Sequence, residues 1–147
     1  TGYYYPGLPV VRDLHRYATE GRSRVQEVVC PKYPYVHRSK TPGIMACFCL
    51  DCRNIVGFNA MHEYESPQSV FELLWTRWPQ APEVVIYDNA CNLAIYTHMR
   101  ESWFFRDTKF VIDRLHQFAH KQCSPVFSFD LVAELYGENS QLLEEFW

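Results

Sequence analysis

The 147-residue sequence contains no Gly-rich phosphate-binding loop and no Gly-x-Ser-x-Gly elbow. Neither a P-loop nucleotide cradle nor an α/β-hydrolase nucleophile is therefore encoded. No apolar run approaches the ~20 residues of a membrane-spanning helix, so no membrane partner is expected. The start, Thr1-Gly2-Tyr3-Tyr4-Tyr5-Pro6, lacks the charged and apolar regions of a secretory signal. Internal repeats and low-complexity tracts are absent. Charged residues make up only 21% against 48% apolar, a balance that fits one globular domain with a core of its own. The chain begins without Met and stops at Glu144-Glu145-Phe146-Trp147, so it reads as a piece of a longer protein whose flanking domains are missing.

The net charge of −3 is unevenly spread: residues 1–43 sum to +4 and residues 44–147 to −7. A basic arm on an acidic body suits a polyanion held near a metal site, although a solvated surface gives the same numbers. The arm, residues 1–43, reads as an N-terminal extension. It holds five of the nine prolines, a short helix within Val10–Glu20 and a strand over Val25–Cys30. Six cysteines (Cys30, Cys47, Cys49, Cys52, Cys91, Cys123) permit a secreted disulfide framework or reduced thiols, some binding metal. The apolar inventory makes staples unnecessary and favours thiols.

Residues 44–147 read as the main body. Ile44–Leu50 is apolar throughout, as in a strand buried on both faces, and Asn54–Met61 reads as its hairpin partner. Ser66-Pro67 marks a helix start, with Val70, Phe71, Leu73, Leu74, Trp75 and Trp78 on an apolar face. Val84–Tyr87 is a short β-branched run suited to a parallel strand in the middle of a sheet, and Lys109–Ile112 reads as another strand. Cys91–Glu101, Arg114–Gln122 and Phe129–Tyr136 read as helices, and a last helix opens near Asn139 or Ser140. This order predicts an α/β fold, a mixed sheet with helices on both faces. It resembles the RNase H-like layout.

Asp51 and Asp88 each close a strand, and Glu144 sits where the last helix begins. Carboxylates from separate elements that converge can hold two divalent ions for phosphoryl transfer, and ligands gather at the carboxyl ends of strands in open α/β sheets. Asp51, Asp88 and Glu144 are therefore candidate catalytic residues and ligands of Mg²⁺ or Mn²⁺. Each also has a plain structural alternative: a turn residue, an N-cap and a first-turn acid.

Asp113, His116, His120 and Cys123 would share an arc of roughly 80° on a helix. Imidazole and thiolate are the preferred zinc donors, and a structural site needs four of them. With Cys91 as the remote ligand, the expected Zn²⁺ set is Cys91, His116, His120 and Cys123, with Asp113 either substituting for a ligand or orienting one. The alternative is a hydrogen-bonded core histidine beside small buried thiols. His62, Glu63 and Glu65 form a further polar cluster.

Several blocks resemble a known family. They are Glu65-Ser66-Pro67, Val85-Ile86-Tyr87-Asp88-Asn89-Ala90-Cys91-Asn92-Leu93, Phe110-Val111-Ile112-Asp113-Arg114-Leu115-His116 with His120 and Cys123-Ser124, and Asn139-Ser140-Gln141 ahead of Glu144. Across about residues 42–145 the sequence resembles the Kyakuja–Dileera–Zisupton transposases, related to the hAT group, and their domesticated relatives. The resemblance implies an RNase H-like core that cuts and joins DNA with Mg²⁺ or Mn²⁺, with Asp88 as the second acid and Glu144 as the last. Asp51 as the first acid comes from strand logic alone.

Two functions follow as expectations. One is a DNA transposase catalytic core, a metal-dependent enzyme of DNA that forms homo-oligomers in the nucleus. The other is a domesticated, catalytically inactive nuclear DNA- or protein-binding domain stabilised by zinc.

Overall fold

The computed structural model describes residues 3–5, 7–18, 43–61, 65–120 and 123–139. The chain divides into two compact units, Thr1–Glu65 and Ser66–Trp147. The expected strand over Val25–Cys30, most of the basic side chains of the arm, the His62–Glu63 pair and the last helix with Glu144 all lie outside the described residues.

In the first unit, β1 (Tyr3–Tyr4), β2 (Ile44–Cys49) and β3 (Asn54–Ala60) form an antiparallel sheet in the order β1-β3-β2. The expected hairpin is present: β2 pairs with β3 from Ile44↔Ala60 to Cys49↔Asn54, with an irregularity between Cys47 and Phe48. Its turn places Arg53 at φ 58°, and the Arg53 N–H donates to the Cys49 carbonyl at 2.9 Å. A left-handed conformation at a residue with a Cβ is a local strain of about 1 kcal/mol or more. The side-chain amide of Asn54 braces it by donating to the Cys52 carbonyl at 2.9 Å. β2 is half-buried with Ile44 exposed, rather than buried on both faces. Gly57 faces the Tyr5 ring so closely that an added Cβ would overlap it. Of the helix expected over Val10–Glu20, α1 spans only His15–Ala18, its first N–H bonded to Asp13 at 2.7 Å.

The second unit opens on α2 (Pro67–Arg77). Ser66 is its N-cap, accepting from the Ser69 N–H at 3.3 Å, and Pro67 fills the first helical position, where its missing N–H costs nothing. Phe71, Leu73 and Leu74 are its buried face. β4 (Val84–Ile86), α3 (Ala90–Glu101) and β5 (Lys109–Val111) follow. β4 and β5 are parallel, as expected, with Val84↔Lys109, Val85↔Phe110 and Ile86↔Val111 in register. α3 therefore forms the connection of a βαβ unit, the usual way for a chain to join parallel strands. Phe71, Leu93, Phe105, Val111, Ile112 and Phe129 are buried in this unit's core. Phe71 meets Tyr96 edge-on at 5.6 Å between centroids and Phe105 at 6.1 Å, so α2 packs on α3 through aromatic contacts.

After β5 the chain departs from expectation. The helix predicted over Arg114–Gln122 is one turn, α4 (Arg114–Gln117). The helix predicted over Phe129–Tyr136 is two 3₁₀ turns, Phe129–Leu131 and Ala133–Leu135, preceded by another at Pro125–Phe127. Arg114 ties this tail to α4: its Nε donates to Asp130 at 2.7 Å, one terminal nitrogen reaches the Glu138 carbonyl at 3.1 Å, and its guanidinium lies over the Phe129 ring.

The mixed α/β class holds. Among the described residues the strands form two sheets, one antiparallel and three-stranded, one parallel and two-stranded, where a single mixed sheet was expected. β4 and β5 are only three residues each because Asn89 and Asp113 start helices immediately after them.

Candidate metal centre

The parallel pair sets the position of the site. Beyond β4, the Tyr87 N–H still donates to Val111 at 3.0 Å, and the Ala90 N–H bonds back to Tyr87 at 3.2 Å. This turn delivers Cys91 on the first turn of α3, where it is buried. Its Sγ also lies 3.8 Å from Asn89 Oδ1, which accepts from Asn92 at 2.8 Å.

Beyond β5, Asp113 caps α4. Its Oδ1 accepts from the His116 backbone N–H at 3.1 Å, and its Oδ2 lies 2.8 Å from His116 Nδ1. After α4 the hydrogen bonds change span. Ala119 bonds to His116, His120 to Gln117 and Cys123 to His120, each three residues back. The α-helical span thus ends at Gln117, and short turns carry the chain on to His120.

Three side chains converge. Cys91 Sγ lies 3.6 Å from His120 Nδ1, Cys123 Sγ lies 3.4 Å from the same nitrogen, and the two sulfurs are 3.3 Å apart. Tetrahedral zinc with ordinary bond lengths separates two sulfurs by about 3.8 Å and sulfur from nitrogen by about 3.6 Å. The Cys91–His120–Cys123 group fits that chemistry and can bind a metal such as zinc. Burial, then the neighbouring Cys123, pushes the Cys91 thiol up to about 11. In metal-free protein it carries its proton at neutral pH. All five described cysteines, Cys47, Cys49, Cys52, Cys91 and Cys123, are free thiols.

Three of the four expected zinc ligands are thus brought together. The fourth, His116, turns its Nδ1 to Asp113, so the role expected of Asp113, orienting a histidine, is exercised on a residue outside the three-donor group. Among the carboxylates, Asp88 stands at the end of β4. Its Oδ1 is buried without a hydrogen-bond partner. Burial raises its pKa, with Asp113 adding to the shift, while His116, the Asn89 N–H and His120 oppose it. Asp88 therefore shares an electrostatic neighbourhood with Asp113, His116 and His120. Asp51 is exposed in the hairpin turn of the first unit, and Glu144 lies outside the described residues.

Sequence reading missed Gln117. Its side-chain N–H donates to Ser128 Oγ at 3.0 Å, leaving Oε1 buried and unpartnered. A glutamine in a short polar helix carries no signal that would have singled it out. Compared with protein families, with curated proteins and with solved structures, the chain matches none.

Proposed function

We propose that this chain is the catalytic core of a DNA transposase of the Kyakuja–Dileera–Zisupton kind, with an RNase H-like fold and metal-dependent phosphoryl transfer as its chemistry. The observation that carries the reading is Asp88: a carboxylate at the carboxyl end of a parallel strand, one oxygen buried and unpartnered. A buried acceptor left without a donor is costly unless something else satisfies it, and a hard divalent cation does so. Asp113 is not a second ligand of this kind, because both its oxygens are engaged by His116. Mg²⁺ or Mn²⁺, when bound, supplies activation of the attacking oxygen and stabilisation of the leaving one. The chain's own part is to hold Asp88 through the β4–β5 ladder, just ahead of α3, and to brace the start of that helix with zinc on Cys91, His120 and Cys123. DNA is the partner, the assembly is a homo-oligomer, and the compartment is the nucleus.

The test is DNA strand cleavage or joining by purified protein in Mn²⁺, with Asp88→Asn as control. Activity in the wild type, lost in Asp88→Asn with zinc content unchanged, is the expected result. Zinc-loaded protein that binds DNA and never cuts it would sink the enzymatic reading. The second reading, a domesticated nuclear binding domain, would then stand. The exposure of Asp51 in a hairpin turn is the observation that favours it.

A further inference from the structure

We infer that the metal at Cys91, His120 and Cys123 keeps its fourth coordination position for a small exogenous ligand carrying a soft nitrogen donor and an N–H, of which imidazole is the simplest. The inference rests on the proposed function only in that a metal occupies these three donors.

Four observations lead there. First, the group has three donors, and among the described residues none makes a fourth. Three protein ligands with an open position is the pattern of zinc sites that take an outside ligand, whereas structural sites close with four. Second, two of the three donors border a cavity of about 330 Å³. His120 and Cys123 line it, together with Ile112, Gln117, Ser128 and Leu131. That volume is at the small end of ligand sites and holds a compact molecule.

Third, Gln117 lines the same cavity. Its amide donates to Ser128, and Oε1 is buried in the wall with no partner. A small shift of the amide toward the cavity would let a ligand N–H satisfy it. Fourth, two thiolates balance the charge of a divalent ion. A neutral centre has little attraction for hard anions and prefers a soft or neutral donor, and the apolar walls at Ile112 and Leu131 agree with that. An imidazole ring carries both groups that such a site would use, a nitrogen donor for the metal and an N–H for Gln117.

Cobalt reads this directly. Co²⁺ is loaded in place of zinc, and imidazole is titrated while the visible absorption is followed. The expected result is a saturable spectral change with the cobalt still protein-bound. Gln117→Ala should weaken imidazole binding about fivefold, the loss of one ordinary hydrogen bond. His116→Ala should leave cobalt affinity and the imidazole response as they are. A spectrum that imidazole does not alter until the metal is stripped means that a side chain of the chain closes the site, and overturns the inference. So does a His116→Ala protein with weakened cobalt binding, because His116 would then be the fourth ligand. Protein that takes up no Co²⁺ or Zn²⁺ overturns it together with the zinc brace, while the Mn²⁺-dependent DNA reaction is read separately and can stand or fall alone.

Discussion

His116 Nδ1 lies 2.8 Å from Asp113 Oδ2, while the backbone N–H of His116 donates to the other oxygen of the same carboxylate. One side chain thus starts α4 and holds the ring that the helix presents. Asp113 is itself buried, so removing it strands two donors in a place that water reaches poorly. Asp113→Ala should destabilise the second unit by about 1–2 kcal/mol, the ordinary cost of a lost N-cap. Asp113→Asn keeps an acceptor for the cap and should cost less. Urea denaturation orders the three proteins. Equal stability of Asp113→Ala and wild type would deny the cap its role.

Metal binding should follow the cysteines that converge and ignore those that do not. Cys91→Ser and Cys123→Ser should lose bound zinc, and Cys47→Ser and Cys52→Ser should retain it at one ion per chain. The pH dependence has a definite sign. Cys91 is raised to about 11 by burial and by Cys123, so throughout the neutral range the metal must displace its proton. A proton that competes with the metal weakens binding as pH falls. That one proton makes apparent affinity drop about tenfold per pH unit below the raised value. Competition against a chromophoric chelator between about pH 6 and 8 measures the slope. A flat profile would mean that the thiol is already ionised without metal.

Local signals were legible wherever the cause was local. Ser66-Pro67 starts α2 because a hydroxyl cap and a proline at the first position are sufficient chemistry for it. Val84–Tyr87 and Lys109–Ile112 are readable as strands from their short apolar runs, the first as a parallel one, and β4 and β5 do pair in parallel. The metal group was legible as a set of donors, and three of its four members do meet. Reading residues 113–123 as α-helix puts His116 and His120 on one face, whereas α4 spans Arg114–Gln117 and His116 Nδ1 turns to Asp113. Asp113 spaced three residues before His116 was a capping signal, and it outweighed the ligand pattern. The pairing of strands into sheets depends on contacts distant in sequence, which residue spacing does not encode. For that reason two sheets stand where one was expected.

The hairpin cysteines should separate sharply in reactivity. Cys52 is exposed, and its pKa is lowered, first by a hydrogen bond from Cys49 and then by the Asn54 backbone N–H. Cys47, two residues before Cys49 on β2, is pushed up to about 11 by burial and then by Cys49. Alkylation proceeds through the thiolate. Near neutral pH Cys52 therefore has more of the reactive form than an ordinary thiol, and Cys47 has almost none until strongly alkaline pH. Timed iodoacetamide labelling followed by peptide mass spectrometry should find Cys52 modified first and Cys47 last. Comparable rates at the two would contradict the environments assigned to them.

Gly57 carries the last prediction. It lies in β3 opposite Cys47, and the Tyr5 ring covers it so closely that a Cβ would overlap ring carbons. The glycine here serves close packing: no positive φ is recorded at this position, so backbone strain is not at issue. In Gly57→Ala the methyl must displace Tyr5. That residue directly follows β1, whose two residues pair with Asn59 and Phe58 of β3. Displacing the ring pulls on β1, which is two residues long among the described residues. The cost should be about 1–3 kcal/mol, as for other insertions of a methyl into filled space. Tyr5→Ala in the same chain should remove most of that penalty, because the space the methyl needs is then open. A double-mutant cycle by denaturation measures this coupling, and simple additivity of the two substitutions would show that Tyr5 does not pack on Gly57.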